Sequence, residues 1–238
     1  LKKGDLAKAI EYAEAWKNRL PGSALALATY GKLQLAEGDF VEARSAMVAA
    51  SQLESDNDVA MYALIDLDLR EGRYAEARVK LIEAQKRNPK VAGVYIRLAE
   101  IDAKAGDIQS AQAWTEKGVA EVPGSLQLRV LLASRYIELN RLDKAVALMK
   151  EAEVKYSSNL LYRLTLGEIY IASEQWRLAT EVLDGVLQKY PDNTNVLVLA
   201  GKASSGSGDL QKAEELLRRA VVGDKASIPA VLALAEVF

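Results

Sequence analysis

Apolar and polar positions along this chain recur with a period of 34 residues, and the spacing never slips. The clearest marker is Gly38-Asp39-Phe40-Val41-Glu42-Ala43, which returns as Gly4-Asp5-Leu6-Ala7-Lys8-Ala9, Gly72-Arg73-Tyr74-Ala75-Glu76-Ala77 and Gly106-Asp107-Ile108-Gln109-Ser110-Ala111. Three further copies follow, at Asn140-Arg141-Leu142-Asp143-Lys144-Ala145, Glu174-Gln175-Trp176-Arg177-Leu178-Ala179 and Gly208-Asp209-Leu210-Gln211-Lys212-Ala213. A fixed period of this length identifies a repeat protein, in which a unit too small to close its own core buries its apolar face against its neighbours.

Each repeat divides into two helical patterns separated by turn chemistry. The position before the first helix is Ser23, Asn57, Val91, Ser125, Asn159, Asn193 or Ser227. All but Val91 carry a side chain that accepts a hydrogen bond from a free N-terminal amide. Between the helices, Gly4, Gly38, Gly72, Gly106 and Gly208 suit a left-handed residue after a helix end, Asn140 is the next best choice, and Glu174 is the exception. Asp5, Asp39, Asp107 and Asp209 follow, where a carboxylate caps the second helix and meets the positive end of its dipole. Pro21, Ser55, Pro89, Pro123, Ser157, Pro191 and Lys225 precede the next cap, and the prolines among them stop the second helix. Ala9, Ala43, Ala77, Ala111, Ala145, Ala179 and Ala213 share one slot, as expected where two helices approach too closely for a larger side chain.

The pattern resembles the tetratricopeptide repeat, whose signature is W-x2-L-G-x2-Y, then A-x3-F, then P, within 34 residues. Matching positions are Leu27, Tyr30-Gly31, Ala43 and Met47 in one repeat, and Leu98-Ala99 with Pro123 in a later one. Others are Leu132-Ala133, Tyr136, Ala145 and Met149, then Leu166-Gly167, Tyr170, Ala179, Leu183 and Pro191. The leading tryptophan is missing throughout, and Leu64-Ile65 replaces Leu-Gly in one copy. The resemblance implies an all-α fold, a right-handed superhelical solenoid of antiparallel helix pairs whose first helices line a concave groove. The whole chain, 1–238, reads as a single array: a lone second helix in 1–23, six full repeats at 24–57, 58–91, 92–125, 126–159, 160–193 and 194–227, and a further first helix in 228–238 with Ile228, Val231, Leu232, Leu234 and Phe238. Such an array ends in polar capping surface, whereas this tail is apolar and Leu1 is no initiator methionine; the expectation is an excerpt from a longer solenoid.

Composition narrows the chemistry. With 31 basic and 33 acidic residues the formal charge is -2, which supplies no general attraction to nucleic acid. Cysteine and histidine are both absent, which removes thiolate nucleophiles, Cys or His metal sites and the commonest general base. The longest uncharged apolar stretch, Ala226 to Ala235, is about half the roughly 20 residues that span a bilayer. Gly201-Lys202-Ala203-Ser204 lacks the first glycine and the hydroxyl of a phosphate loop, and Ser204-Ser205-Gly206-Ser207-Gly208 reads as a frayed helix end. The expectation is therefore no enzyme, no cofactor and no metal.

What remains is the groove implied by the resemblance. One first-helix slot there reads Lys32, Asp66, Glu100, Ser134, Glu168, Lys202, acidic in the middle and basic at the ends. The slot four residues earlier reads Ala28, Tyr62, Ile96, Val130, Leu164, Val198, on the same helix face. Lys32, Tyr62, Asp66, Ile96, Glu100, Glu168 and Lys202 are the candidate partner-binding residues, suited to a protein or peptide with basic and apolar side chains. The Lys and Asn, four apart, with which some family members grip a C-terminal carboxylate do not occur at the corresponding pairs Ala28 with Lys32 and Tyr62 with Asp66.

Two acids, Asp68 and Asp102, stand in the slot where the family places tyrosine. Either each pairs with a neighbouring hydroxyl or arginine, such as Arg70 or Arg97, or simply reaches solvent, or they join Asp66 and Glu100 in an acidic patch for a basic partner or a divalent cation. Trp16, Trp114 and Trp176 fall on second helices and are expected to fill interfaces rather than anchor a ligand. The function expected is a non-catalytic protein-interaction scaffold. Within the family the chain looks most like bacterial envelope proteins, lipoproteins among them, that accompany exopolysaccharide export or surface-protein sorting, with a periplasmic or outer-membrane location. The alternative is a targeting arm of a larger enzyme such as a glycosyltransferase.

Overall fold

A computed structural model describes residues 3–224 and 226–237; Lys225 and Phe238, assigned above to a repeat boundary and to the last helix, lie outside the described residues. The helices are α1 (Lys3–Arg19), α2 (Ala24–Glu37), α3 (Phe40–Leu53), α4 (Asp58–Arg70), α5 (Tyr74–Arg87), α6 (Ala92–Lys104), α7 (Ile108–Glu121) and α8 (Leu126–Glu138). They continue as α9 (Leu142–Lys150), α10 (Glu153–Tyr156), α11 (Leu160–Ala172), α12 (Trp176–Leu187), α13 (Thr194–Gly206), α14 (Leu210–Gly223) and α15 (Ile228–Ala235). There is no strand among the described residues, so the fold is all-α. The chain divides into two compact units, Leu1–Ala111 and Gln112–Phe238, and the division falls inside α7.

Local chemistry sets the ends of these helices. Ser23, Asn57, Ser125, Asn159, Asn193 and Ser227 each accept a hydrogen bond from the amide three residues on, while Val91 caps nothing with its side chain. Asp39, Asp107 and Asp209 cap α3, α7 and α14 in the same way. At the hairpin turns Gly38, Gly72, Gly106 and Gly208 have φ between 74° and 97°. Asn140 takes φ 54° and Glu174 takes φ 56°, so Glu174 is no exception to the geometry, only to the residue type. The backbone amide after each of these turns returns to the carbonyl five residues earlier, as Asp39 does to Gln34 and Gln175 to Tyr170. Gly4 and Asp5 depart from the expected pattern. Both lie within α1.

Packing within each unit follows the small-residue slot. Ala43, Ala77, Ala111, Ala145, Ala179 and Ala213 are fully buried. Gly31, Gly167 and Gly201 sharpen the approach: a Cβ at Gly201 would stand 2.6 Å from Leu217 Cγ, and one at Gly167 2.8 Å from Leu183 Cδ2. Helix α2 comes close to α3 at Gly31, where an added Cβ would stand 3.0 Å from Met47 Cε, while Ile65 takes the glycine's slot in the next repeat. In the N-terminal unit Leu27, Met47, Ala50, Ala60 and Leu64 form the core between α2, α3 and α4. In the C-terminal unit one cluster surrounds Leu132, Met149, Tyr162 and Ile169, and another surrounds Leu183, Leu197, Leu216 and Leu217. Gly206 ends α13 against the ring of Trp176, where a Cβ would come within 2.2 Å of the ring carbon Cε3. The first helix ends within the Ser-Gly stretch, as its composition suggested, and Gly206 has a packing reason of its own.

One second helix is broken. Arg129 on α8, 8 % exposed, donates from Nη1 to the carbonyl of Leu148 at 3.1 Å and to Glu151 Oε2 at 3.0 Å. Its Nε also donates to the Pro123 carbonyl at 3.2 Å. The Leu148 carbonyl would otherwise receive the Ala152 amide, which turns instead to Met149 at 2.9 Å. A guanidinium inserted into the helical ladder separates α9 from α10.

Candidate functional site

Asp68 and Asp102 decide how much acidity the N-terminal unit can present. Asp68 is 1 % exposed and accepts from Arg44 Nη1 at 2.9 Å, Arg73 Nη2 at 3.0 Å and Lys80 Nζ at 2.6 Å. Burial pushes its carboxyl upward, but the bonds from Lys80, Arg73 and Arg44 outweigh burial and hold it below the ordinary carboxylate range. Asp102, 5 % exposed, binds Arg78 Nε at 2.9 Å. Arg44 and Arg78 are one period apart, and each reaches the aspartate 24 residues on, in the first helix of the following repeat.

These pairings correct the sequence reading in detail. The acids pair with arginines, but not with the ones nearest in sequence: Arg70 lies 3.8 Å from the centre of the Phe40 ring, and Arg97 bonds Asp66 at 2.7 Å. The four acids do not form one acidic patch, since two are buried against cations and Asp66 has its own. No group of three or more metal-ligating side chains occurs among the described residues.

The charged and apolar first-helix slots converge in two concavities, one in each unit. In the N-terminal unit Lys32 of α2 and Tyr62 and Asp66 of α4 line a cavity of about 330 Å³ with Leu35, Asp58, Val59 and Ala63. Burial and then the nearby Asp58 carboxylate push the Tyr62 hydroxyl upward. Ile96 and Glu100 lie on α6, outside this cavity; Ile96 is half-buried and Glu100 exposed. In the C-terminal unit α11 packs against both α8 and α13. The i and i+4 positions of these helices, Val130 and Ser134, Leu164 and Glu168, Val198 and Lys202, line a cavity of about 460 Å³. Leu161, Thr165, Asn195, Leu199 and Pro229 complete it.

Glu168 is exposed at the edge of this cavity, and the partial burial of its carboxyl pushes it above the ordinary range. Neither Glu168 nor Lys202 has an ion-pair partner within 4.0 Å among the described residues. The structure adds Asn195 and Thr165 to the polar lining beside Ser134, which no periodic slot marks.

No described helix is long and apolar enough to cross a membrane. No curated protein matches the chain. Among solved structures, the hetero-tetramer Cut9-Hcn1 of the APC/C aligns over 100 % of this chain at 16 % identity and a TM-score of 0.69; this chain spans 46 % of the matched one. The C-terminal part of a TPR repeat-containing protein from Cytophaga hutchinsonii aligns over 98 % of this chain and 96 % of its own, at 13 % identity and a TM-score of 0.73. PilF of Pseudomonas aeruginosa covers 90 % of this chain and 97 % of its own, at 14 % identity and a TM-score of 0.67. These likenesses concern the fold. The family model described as tetratricopeptide repeat matches residues 34–79, 68–125 and 170–237, and with the capped, glycine-turned helix pairs on which that match falls, the chain belongs to the tetratricopeptide repeat family.

Proposed function

We propose that this chain is a non-catalytic scaffold that holds a partner protein or peptide on the face formed by its first helices. The observation that carries the reading is the convergence of periodic slots on two concavities, each with apolar walls and polar or charged groups at the rim, as binding grooves require. Lys32, Tyr62 and Asp66 serve in the N-terminal unit and Glu168 and Lys202 in the C-terminal unit, with Ile96 and Glu100 on the same helix face in between in sequence. A partner offering apolar side chains and a basic group complements these surfaces.

As part of the same proposal, the scaffold works in a bacterial envelope assembly tied to exopolysaccharide export or surface-protein sorting. The uninterrupted repeats and the absence of cysteine support this placement, and similarly folded proteins include PilW, described as a type IV pilus biogenesis factor.

A photo-crosslinking amino acid at Tyr62 or Leu161, each on a cavity wall, should give adducts with a discrete partner in cells that express the protein, and those adducts should sediment with the envelope. The same probe at Tyr12 or Val79, exposed on second helices, should give none. Adducts from Tyr12 and Val79 but not from Tyr62 and Leu161 would move the binding face away from the concavities, and adducts confined to the soluble fraction would end the envelope placement.

A further inference from the structure

The internal ion pairs leave an uneven surface. Asp66, Asp68 and Asp102 are matched by arginines and a lysine within the protein, so the acidity that the sequence displays in the N-terminal unit is largely neutralised before any partner arrives. Among the described residues Lys32 and Asp58 stay unpaired in the N-terminal cavity, and the C-terminal cavity likewise holds a free charge of each sign. Glu168 on α11 and Lys202 on α13 share one concavity and carry opposite charges, yet they do not bridge each other, and each is without an ion partner among the described residues. Two unmatched charges of opposite sign, held on neighbouring helices, are complementary to a ligand with the reverse arrangement.

Geometry says what spacing such a ligand needs. Packed helices lie roughly 8–10 Å apart. An extended chain advances about 3.3 Å per residue and turns alternate side chains to opposite sides, so residues two apart stand about 6.6 Å apart on one side. Flexible charged side chains close the remainder. A strand laid across α8, α11 and α13 would set its charged residues on the row of Ser134, Glu168 and Lys202 and its aliphatic residues on the row of Val130, Leu164 and Val198.

We infer that the C-terminal cavity recognises an extended peptide segment in which a Lys or Arg side chain pairs with Glu168, an acidic side chain two residues away pairs with Lys202, and aliphatic residues alternate with them. This inference rests on the groove-binding reading and adds to it the order and spacing of charge. The partial desolvation of Glu168 accords with it, because an arriving cation replaces the lost hydration of the carboxylate.

The test uses the whole chain and two fluorescein-labelled peptides with blocked ends, one containing Leu-Lys-Leu-Glu-Leu and one Leu-Gln-Leu-Gln-Leu, titrated by anisotropy. The charged peptide should bind about ten-fold more tightly. Glu168→Gln and Lys202→Gln should each shrink that ratio about three-fold without weakening the neutral peptide. Leu161→Arg, at an exposed wall position, should weaken both peptides. Equal affinities in the wild type, a ratio unmoved by both charge variants, or no saturation by the charged peptide up to about 1 mM would overturn the inference. If Leu161→Arg still weakens both peptides when their affinities are equal, the groove reading survives and only the charge pattern falls. If Leu161→Arg leaves both unchanged, the groove reading falls as well.

Discussion

At the scale of single residues, the most consequential side chain is Asp68. A carboxylate 1 % exposed would be costly alone, but three cations, each still in contact with solvent, surround it. Asp68→Asn should destabilise the protein by about 2 kcal/mol at neutral pH, the scale of hydrogen bonds to charged groups, because the freed cations can rehydrate. The sign of the pH dependence follows from a folded carboxyl held below its unfolded value. The contribution is complete above the unfolded pKa of about 3.9 and is lost as pH falls through the lower folded value, so the gap between wild type and variant should close in that acid window. Denaturant titrations at neutral and at acid pH measure it; a gap that widens on acidification would contradict the assigned network. The sequence offered a hydroxyl, an arginine, solvent or an acidic patch for this carboxylate, and did not single out its partners. Arg44 and Arg73 lie on either side of a repeat boundary and a hairpin, and nothing in a one-dimensional pattern ranks them above Arg70, which the fold turns to Phe40.

At the scale of helices, the caps and turns were legible because each depends on residues three to five apart, and Ser23, Asn57 or Gly38 carry their own geometry. Breaks that depend on a neighbouring helix were not. The slot of Arg129 holds Leu27, Met61, Tyr95, Arg163 and Leu197 in other repeats; Arg163 leaves α12 continuous, and no local signal in 142–156 announces that the guanidinium from α8 will take the Leu148 carbonyl. Arg129→Leu should let the Ala152 amide return to Leu148 and join α9 to α10. The expected outcome is slower hydrogen exchange at residues 151–154; wild-type exchange there would place the cause of the break elsewhere. Gly206 teaches the same lesson, since its lack of a side chain answers to Trp176, 30 positions earlier in the chain.

At the scale of the whole molecule, the period announced the fold, while the candidate site was only half visible. The slots of Glu168 and Lys202 could be read from the spacing, but their freedom from ion partners, in contrast to Asp66 with Arg97, required the structure. Because repeats are stabilised by their neighbours, damage should stay local. Gly206→Ala should force the Trp176 ring aside at a cost of about 1–3 kcal/mol. It should lower amide protection first in α12 and α13, leaving α2 and α3 at wild-type protection; uniform loss along the chain would mean a single cooperative block.

The arginine-to-aspartate contacts also bear on how such a chain can grow. Segment 58–91 contains both halves of the contact, Asp68 at its front and Arg78 at its back, so a tandem duplication of it would supply every new carboxylate with a guanidinium from the preceding copy. Segment 92–125 brings Asp102 but carries Gln112 in the slot where an arginine would be required. Copying that segment would entomb an acid opposite a neutral amide, so lengthening by gene duplication is open to one module and closed to its immediate neighbour.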